Sequence, residues 1–257
     1  MDAMRHILFW LGPVPVYAYA VFTVLAMVIG FWWARREFAL RHLPQRLLWR
    51  MMPVIAILAF AGARALHVAS HWSQYRSDWL LLIMRWRPGM SFHGAMFGSI
   101  IATWLVVRRT DVALSVVFDA LAPGAALAHS IGRIGCFLNG CCYGVPTSLP
   151  WGVRFYNCAI CPDDLPRHPT QLYEALGLIL LFSWLIRRRH HAHYNGEQFA
   201  IWIGGYAILR FLVDFFRAAM RTTLLGLTYS QWLSMIMFAV AICYHCYQMM
   251  SGMHRSR

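Results

Sequence analysis

The chain has 257 residues, of which 60% are hydrophobic and 13% charged, about half the charged fraction of an ordinary soluble domain. That excludes a soluble globular enzyme and predicts an all-α polytopic membrane protein, a single integral domain over 1–257 with room for about six to eight spans. The formal charge of +13 comes from arginine alone, since lysine is absent; arginines gathered at the ends of apolar runs act as topology signals and headgroup contacts, so nucleic acid is excluded as a partner.

No cleavable signal peptide is expected, because Met1 to Gly12 lacks a basic segment, a short apolar core and an Ala-x-Ala site. The first span is predicted from Val14 to Ala34, entered through Gly12-Pro13 and closed by Arg35-Arg36. Tyr19 lies in its first turn, where a tyrosine is by default an interfacial anchor. Arg35 to Arg50 forms a basic loop with five arginines, and Met51 to Ser70 follows as a second span containing Arg64. An intramembrane arginine pairs or lines a polar cavity. His71 to Gly89 is a polar connection, partly re-entrant along Trp79 to Trp86.

The third span, Phe92 to Val107, opens with His93 and ends at Arg108-Arg109. A histidine there either hydrogen-bonds a nearby carbonyl or transfers protons. Val112 to about Ala128 reads as a short fourth span interrupted at Pro123-Gly124, so the glycine-rich stretch after it is expected to be irregular backbone lining a cavity. That stretch is His129-Ser-Ile-Gly-Arg-Ile-Gly-Cys-Phe-Leu-Asn-Gly-Cys-Cys-Tyr-Gly144. Glycines let backbone approach a ligand or a helix closely, and the guanidinium of Arg133 matches phosphate oxygens, which points to a phosphate-bearing ligand near a membrane surface. The plainer alternative is a tight turn with a surface arginine beside lipid headgroups.

Residues 145–169 form the longest polar segment and read as a small arm on the outer side. It holds Cys158 and Cys161, spaced for a disulfide; Cys243 and Cys246, equally spaced, fall in an apolar run and read as packing thiols. Arg167-His168-Pro-Thr-Gln-Leu-Tyr-Glu174 leads into a fifth span, Leu172 to Ile186, followed by the basic loop Arg187 to His191. Along the sixth, Phe199 to Phe216, Tyr206, Arg210, Asp214 and Arg217 recur at intervals that place them on one helix face. Such a row must face protein or water, as a ligand site or as an internal ion-pair ladder. Leu227 to Met250 is the seventh span. Arginine density then places the segments at 35–50, 108–109, 187–189 and 255–257 in the cytoplasm, with the amino terminus outside and the carboxyl terminus inside.

From the residues alone, Arg133, Arg210 and Arg217 form a cationic site for an anionic headgroup, with His93 as proton-transfer group. A transferase, a lipid transporter and a lipid-binding scaffold all remain open at this point. The ordered motifs narrow the choice. Gly12-Pro13 before Tyr19, Met90-Ser-Phe-His93-Gly, Gly132-Arg133-Ile-Gly135, Asn139-Gly140, Gly144, Arg167 to Glu174, Tyr206 with Arg210 to Arg217, and Gln231 with Ser234 resemble the bacterial prolipoprotein diacylglyceryl transferases over nearly the whole chain.

The resemblance implies an inner-membrane enzyme that moves diacylglyceryl from phosphatidylglycerol to the lipobox cysteine of a prolipoprotein signal peptide, forming a thioether, releasing glycerol phosphate and needing no metal or organic cofactor. Its partners are then those two substrates and the surrounding membrane lipids. It implies catalytic roles for His93 (base for the thiol), Arg133 and Arg210 (lipid phosphate), and Tyr19 and Tyr206 (substrate orientation). Asn139, Gly144, His168, Asp214, Arg217 and Gln231 join the arginines as substrate-binding residues. Two positions depart from the family's usual signature: Cys136 replaces an asparagine and Cys141 a glutamate. They make either a neutral variant of the same wall, a divergent paralogue with another acceptor, a non-catalytic lipid binder, or a thiol-sensitive switch.

Overall fold

The structure is a computed structural model that describes residues 7–75, 90–155, 165–218 and 224–255. The expected re-entrant segment along Trp79 to Trp86, and Cys158 with Cys161, lie outside the described residues. The chain opens with a β-hairpin, β1 (Ile7–Leu11) against β2 (Val14–Tyr17). Gly12 turns between them at φ 61°, a conformation that glycine adopts without penalty in a two-residue hairpin loop. Seven long helices follow among the described residues: α1 (Ala18–Leu40), α2 (Gln45–Ser70), α3 (Phe92–Val107), α4 (Leu114–Leu138), α5 (Thr170–Arg188), α6 (Glu197–Asp214) and α7 (Tyr229–Arg255).

Four of these, α1, α2, α4 and α7 as far as Ser251, are long and apolar enough to cross a membrane, and α3 is a shorter apolar helix. The molecule is a helical membrane protein. α5 and α6 carry charges inside and at their ends, which dilute their hydropathy while leaving their lengths near those of spans. The chain gathers into two compact units, residues 1–36 with 118–257 and residues 37–117.

In the unit of residues 37–117, α2 and α3 pack closely through small residues. A Cβ on Gly94 would lie 2.2 Å from the Gly62 carbonyl oxygen, and one on Gly98 2.0 Å from that of Leu58. Glycines four apart let the two backbones touch, which supplies van der Waals contact where lipid gives no hydrophobic drive. The pair is antiparallel. Arg46, Arg50 and Arg109 line a cavity of about 750 Å³ at one end, and Ser91 N donates to Ala63 O at 3.0 Å towards the other. Arg64 lies over the Tyr75 ring, 5.4 Å from its centroid.

The other unit holds α5 to α7 and most of α1 and α4. The fourth span differs from its expected form: α4 runs unbroken from Leu114 through Pro123 and the glycines to Leu138. Two of its glycines, Gly124 and Gly135, serve packing. A Cβ on Gly124 would lie 2.9 Å from Gly30 O, and one on Gly135 2.8 Å from Phe22 Cβ, so α1 lies against α4 at both points. The first span likewise starts at Ala18, because Val14–Tyr17 is committed to the hairpin, and the basic loop shrinks to residues 41–44 because Arg35 and Arg36 continue α1. At one end of the unit Asp119 caps α6, accepting from Gly196 N at 2.7 Å and Phe199 N at 3.0 Å.

Candidate active site

Glu174 sits one turn into α5 and is 1% exposed. A buried carboxylate must be paired, and α4 and α6 answer it from two sides. Arg133 Nη2 lies 2.9 Å from Oε1 and Arg210 Nη1 3.5 Å from Oε2. The Tyr206 hydroxyl, also 1% exposed, donates to Oε1 at 3.3 Å. One turn before Arg133, His129 Nε2 accepts from Arg133 Nε at 3.2 Å, and its ring packs on Tyr206 with centroids 4.9 Å apart.

Arg210 is shared with α7. Its Nη2 pairs with Asp214 Oδ1 at 2.8 Å, and its Nε donates to Ser230 Oγ at 2.9 Å. Asp214 also accepts from the Thr228 hydroxyl. Thr228 and Gln231 close a reciprocal cap on α7: Gln231 N donates to Thr228 Oγ1 at 3.1 Å, and Thr228 N to Gln231 Oε1 at 2.9 Å. Gln231, expected to bind substrate, is therefore engaged as a helix cap.

The wall beside this cluster is built on Gly144. Its backbone pairs with Arg217 and its N donates to His168 O at 2.9 Å. A Cβ there would stand 2.3 Å from Phe216 O and 2.6 Å from His168 Cβ, so only glycine fits. α6 ends at Asp214, which puts Arg217 beyond the helix face predicted for it; the bridge to Gly144 places it instead, close enough to act on Glu174 and Arg210. His168 is buried, with Nδ1 3.1 Å from the Tyr173 hydroxyl, and Arg167 lies over the Tyr143 ring.

Between α4 and Gly144 the chain turns through Asn139-Gly140-Cys141-Cys142. Gly140 and Cys142 both take φ of 65°. Buried Thr170 and Gln171 hold this turn, donating to Cys142 O at 2.8 Å and Cys141 O at 2.6 Å. Hydrogen bonds from the Cys136 and Cys141 thiols hold the Cys142 thiol well below its usual range, and Arg217 and Arg133 assist against burial. Asn139 reaches the Cys141 thiol. Tyr19, 45% exposed, lies beside the same thiols at the start of α1.

Arg133, Tyr206, Arg210, Asp214 and Arg217 thus surround Glu174, with Gly144, His168 and Asn139 in the adjoining wall. His93 belongs to the other unit, half-buried in the first turn of α3. Glu174, His129, Thr228 and Ser230 were not anticipated as site residues. Only Glu174 had a signal, its place behind Arg167-His168 at the entrance to a span; Thr228-Tyr-Ser-Gln231 is itself the pattern of a capping box.

A sequence model of the prolipoprotein diacylglyceryl transferases matches residues 6–247. The chain belongs to this family. A relative named phosphatidylglycerol–prolipoprotein diacylglyceryl transferase from Nocardia farcinica is 31% identical over 91% of the chain, which spans 51% of that protein. Two from Streptomyces coelicolor with the same name, numbered 1 and 2, are 31% and 32% identical over 91% and 90% of the chain, covering 69% and 75% of their own lengths. The chain therefore spans about half of the first relative and somewhat over two thirds of the other two. Family membership fits the geometry above: buried guanidinium groups gathered at one polar end of an apolar bundle.

Proposed function

We propose that the protein transfers the diacylglyceryl group of phosphatidylglycerol to the lipobox cysteine of a prolipoprotein, as its named relatives do. The observation that carries this reading is the bracing of Arg133 and Arg210 on opposite oxygens of one buried carboxylate. Arg133, Arg210 and Arg217 set against Glu174 and Asp214 leave one net positive charge, which complements the single negative charge of a phosphodiester. Arg210 Nη1 makes only the 3.5 Å ion pair with Glu174 and no hydrogen bond among the described residues, so it can donate to a lipid oxygen without giving up a hydrogen bond.

In this reaction the acceptor sulfur attacks the glyceryl carbon bonded to the phosphate oxygen. The carbon–oxygen bond breaks as the carbon–sulfur bond forms, and glycerol phosphate leaves carrying the extra negative charge. Arg133 and Arg210 stabilise that developing charge, which is where prearranged cations lower a barrier most. His93 takes the thiol proton, a role assigned on family correspondence. Tyr19 and Tyr206 orient substrate, Asn139, Gly144, His168, Asp214 and Arg217 shape the headgroup site, and Gln231 supports it by capping α7. Glu174, Tyr206 and Asp214 hold the two arginines in register. The chain crosses the bacterial inner membrane seven times, amino terminus outside, with the 145–169 arm on the outer side next to this site.

The test is direct. Detergent-purified protein incubated with phosphatidylglycerol and a lipobox peptide should add a diacylglyceryl mass to the peptide and release glycerol phosphate. Arg133→Ala, Arg210→Ala and His93→Ala should abolish both. Wild-type turnover in either arginine variant would reject the site. Folded wild-type protein that binds the lipid yet yields no product with several lipobox peptides would favour another acceptor.

A further inference from the structure

The turn after α4 brings three sulfurs together. The Sγ atoms of Cys136, Cys141 and Cys142 all lie within 4.8 Å of one another, and all three residues are half-buried with free thiols. In a tetrahedral thiolate site, metal–sulfur bonds of about 2.3 Å set sulfurs about 3.8 Å apart, so closing this cluster on an ion needs movements of about 1 Å or less.

Three observations make it a built site. Cys136 comes from the last turn of a rigid helix, whereas Cys141 and Cys142 come from the turn that follows. Cys142 holds a left-handed φ of 65°, a conformation a cysteine adopts only where its surroundings impose it. The backbone that imposes it is pinned from below by buried Thr170 and Gln171. Supporting hydrogen bonds of this kind orient metal ligands in general.

We propose that Cys136, Cys141 and Cys142 form a binding site for a soft, thiophilic metal ion such as zinc or cadmium. The ligand set is all sulfur, which selects such ions over magnesium or calcium. Three protein ligands leave the fourth tetrahedral position open to water or an external thiol. Each thiol that ligates gives its proton to solvent, so uptake releases protons and weakens as pH falls. The site stands independently of the transferase reading, because nothing in it requires lipid turnover.

Reduced, chelator-stripped full-length protein in detergent is titrated with cadmium alone. Bound metal is measured after gel filtration, together with the cadmium–thiolate absorption. Near-stoichiometric cadmium is expected, with about a tenfold or greater loss of affinity in each of Cys136→Ser, Cys141→Ser and Cys142→Ser. Paired serine replacements at Cys158 with Cys161, and at Cys243 with Cys246, should leave it unchanged. Equal uptake by the cluster variants, or uptake lost only in the paired controls, overturns the site. Should a cluster variant misfold, alkylation mapping on wild-type protein decides. Cadmium should protect these three thiols, and equal labelling with and without metal refutes the proposal.

Discussion

Glu174 holds a negative charge where two guanidinium groups and one hydroxyl answer it, and its removal takes the carboxylate from Arg133 and leaves Arg210 to Asp214 alone. Breaking one side of a buried ion pair costs about 3–5 kcal/mol. Glu174→Gln should therefore lower the thermal midpoint in detergent sharply and abolish transfer. Tyr206→Phe removes the hydroxyl's hydrogen bond to Glu174, worth about 1 kcal/mol, and should shift the midpoint less. Equal midpoints for wild type and Glu174→Gln would mean that the carboxylate is not what braces the arginines. Gly144→Ala drives a methyl into Phe216 O; with Arg217 held by that pairing, it should weaken phosphatidylglycerol binding severalfold and destabilise by about 1–3 kcal/mol. Unchanged lipid affinity would show that Arg217 is positioned by something else. Arg133, Arg210 and Asp214 were legible in the sequence because a charge inside an apolar run is costly enough to demand a reason. Glu174 was not, since a carboxylate in a first helical turn reads equally well as a cap or headgroup contact, and only burial separates these roles.

At the scale of helices, the same residue type does opposite things. Gly98 meets the Leu58 backbone and has no room for a side chain, whereas a Cβ at Gly132 meets nothing within 4 Å. Gly98→Leu should separate α2 from α3 and abolish a folded, monodisperse protein on gel filtration, while Gly132→Ala should fold as wild type or slightly better, since alanine is favoured over glycine in a helix by about 1 kcal/mol. Normal behaviour of Gly98→Leu would contradict the close packing. The apolar runs marked the helices well because about 20 uncharged residues in succession have few other uses. The continuation of α4 through Gly132-Arg133-Ile-Gly135 was missed for a physical reason: glycine propensity argues for breakage, and the α1 packing that holds the helix together is remote in sequence. The early end of α6, which moves Arg217 off its predicted face, is hidden in the same way, because the partner that draws the chain out is Gly144.

At the scale of the whole molecule, the proposed topology rests on where arginines fall in the sequence. Arg46, Arg50 and Arg109 share one end of the α2–α3 pair, and His93 lies at the opposite end. On the proposed topology, a fluorescent protein that folds only in the cytoplasm should light up when fused after Arg257 and stay dark when fused before Met1. Fluorescence from both fusions would require an even number of crossings and would place the termini on one side. Glu174 has one more consequence under the proposed reaction. A bound phosphodiester brings one negative charge into the site, but the departing phosphate monoester carries close to two at neutral pH. The guanidinium groups therefore attract the product more strongly than the lipid, and Glu174, by cutting the site's positive charge, limits how tightly the product is retained.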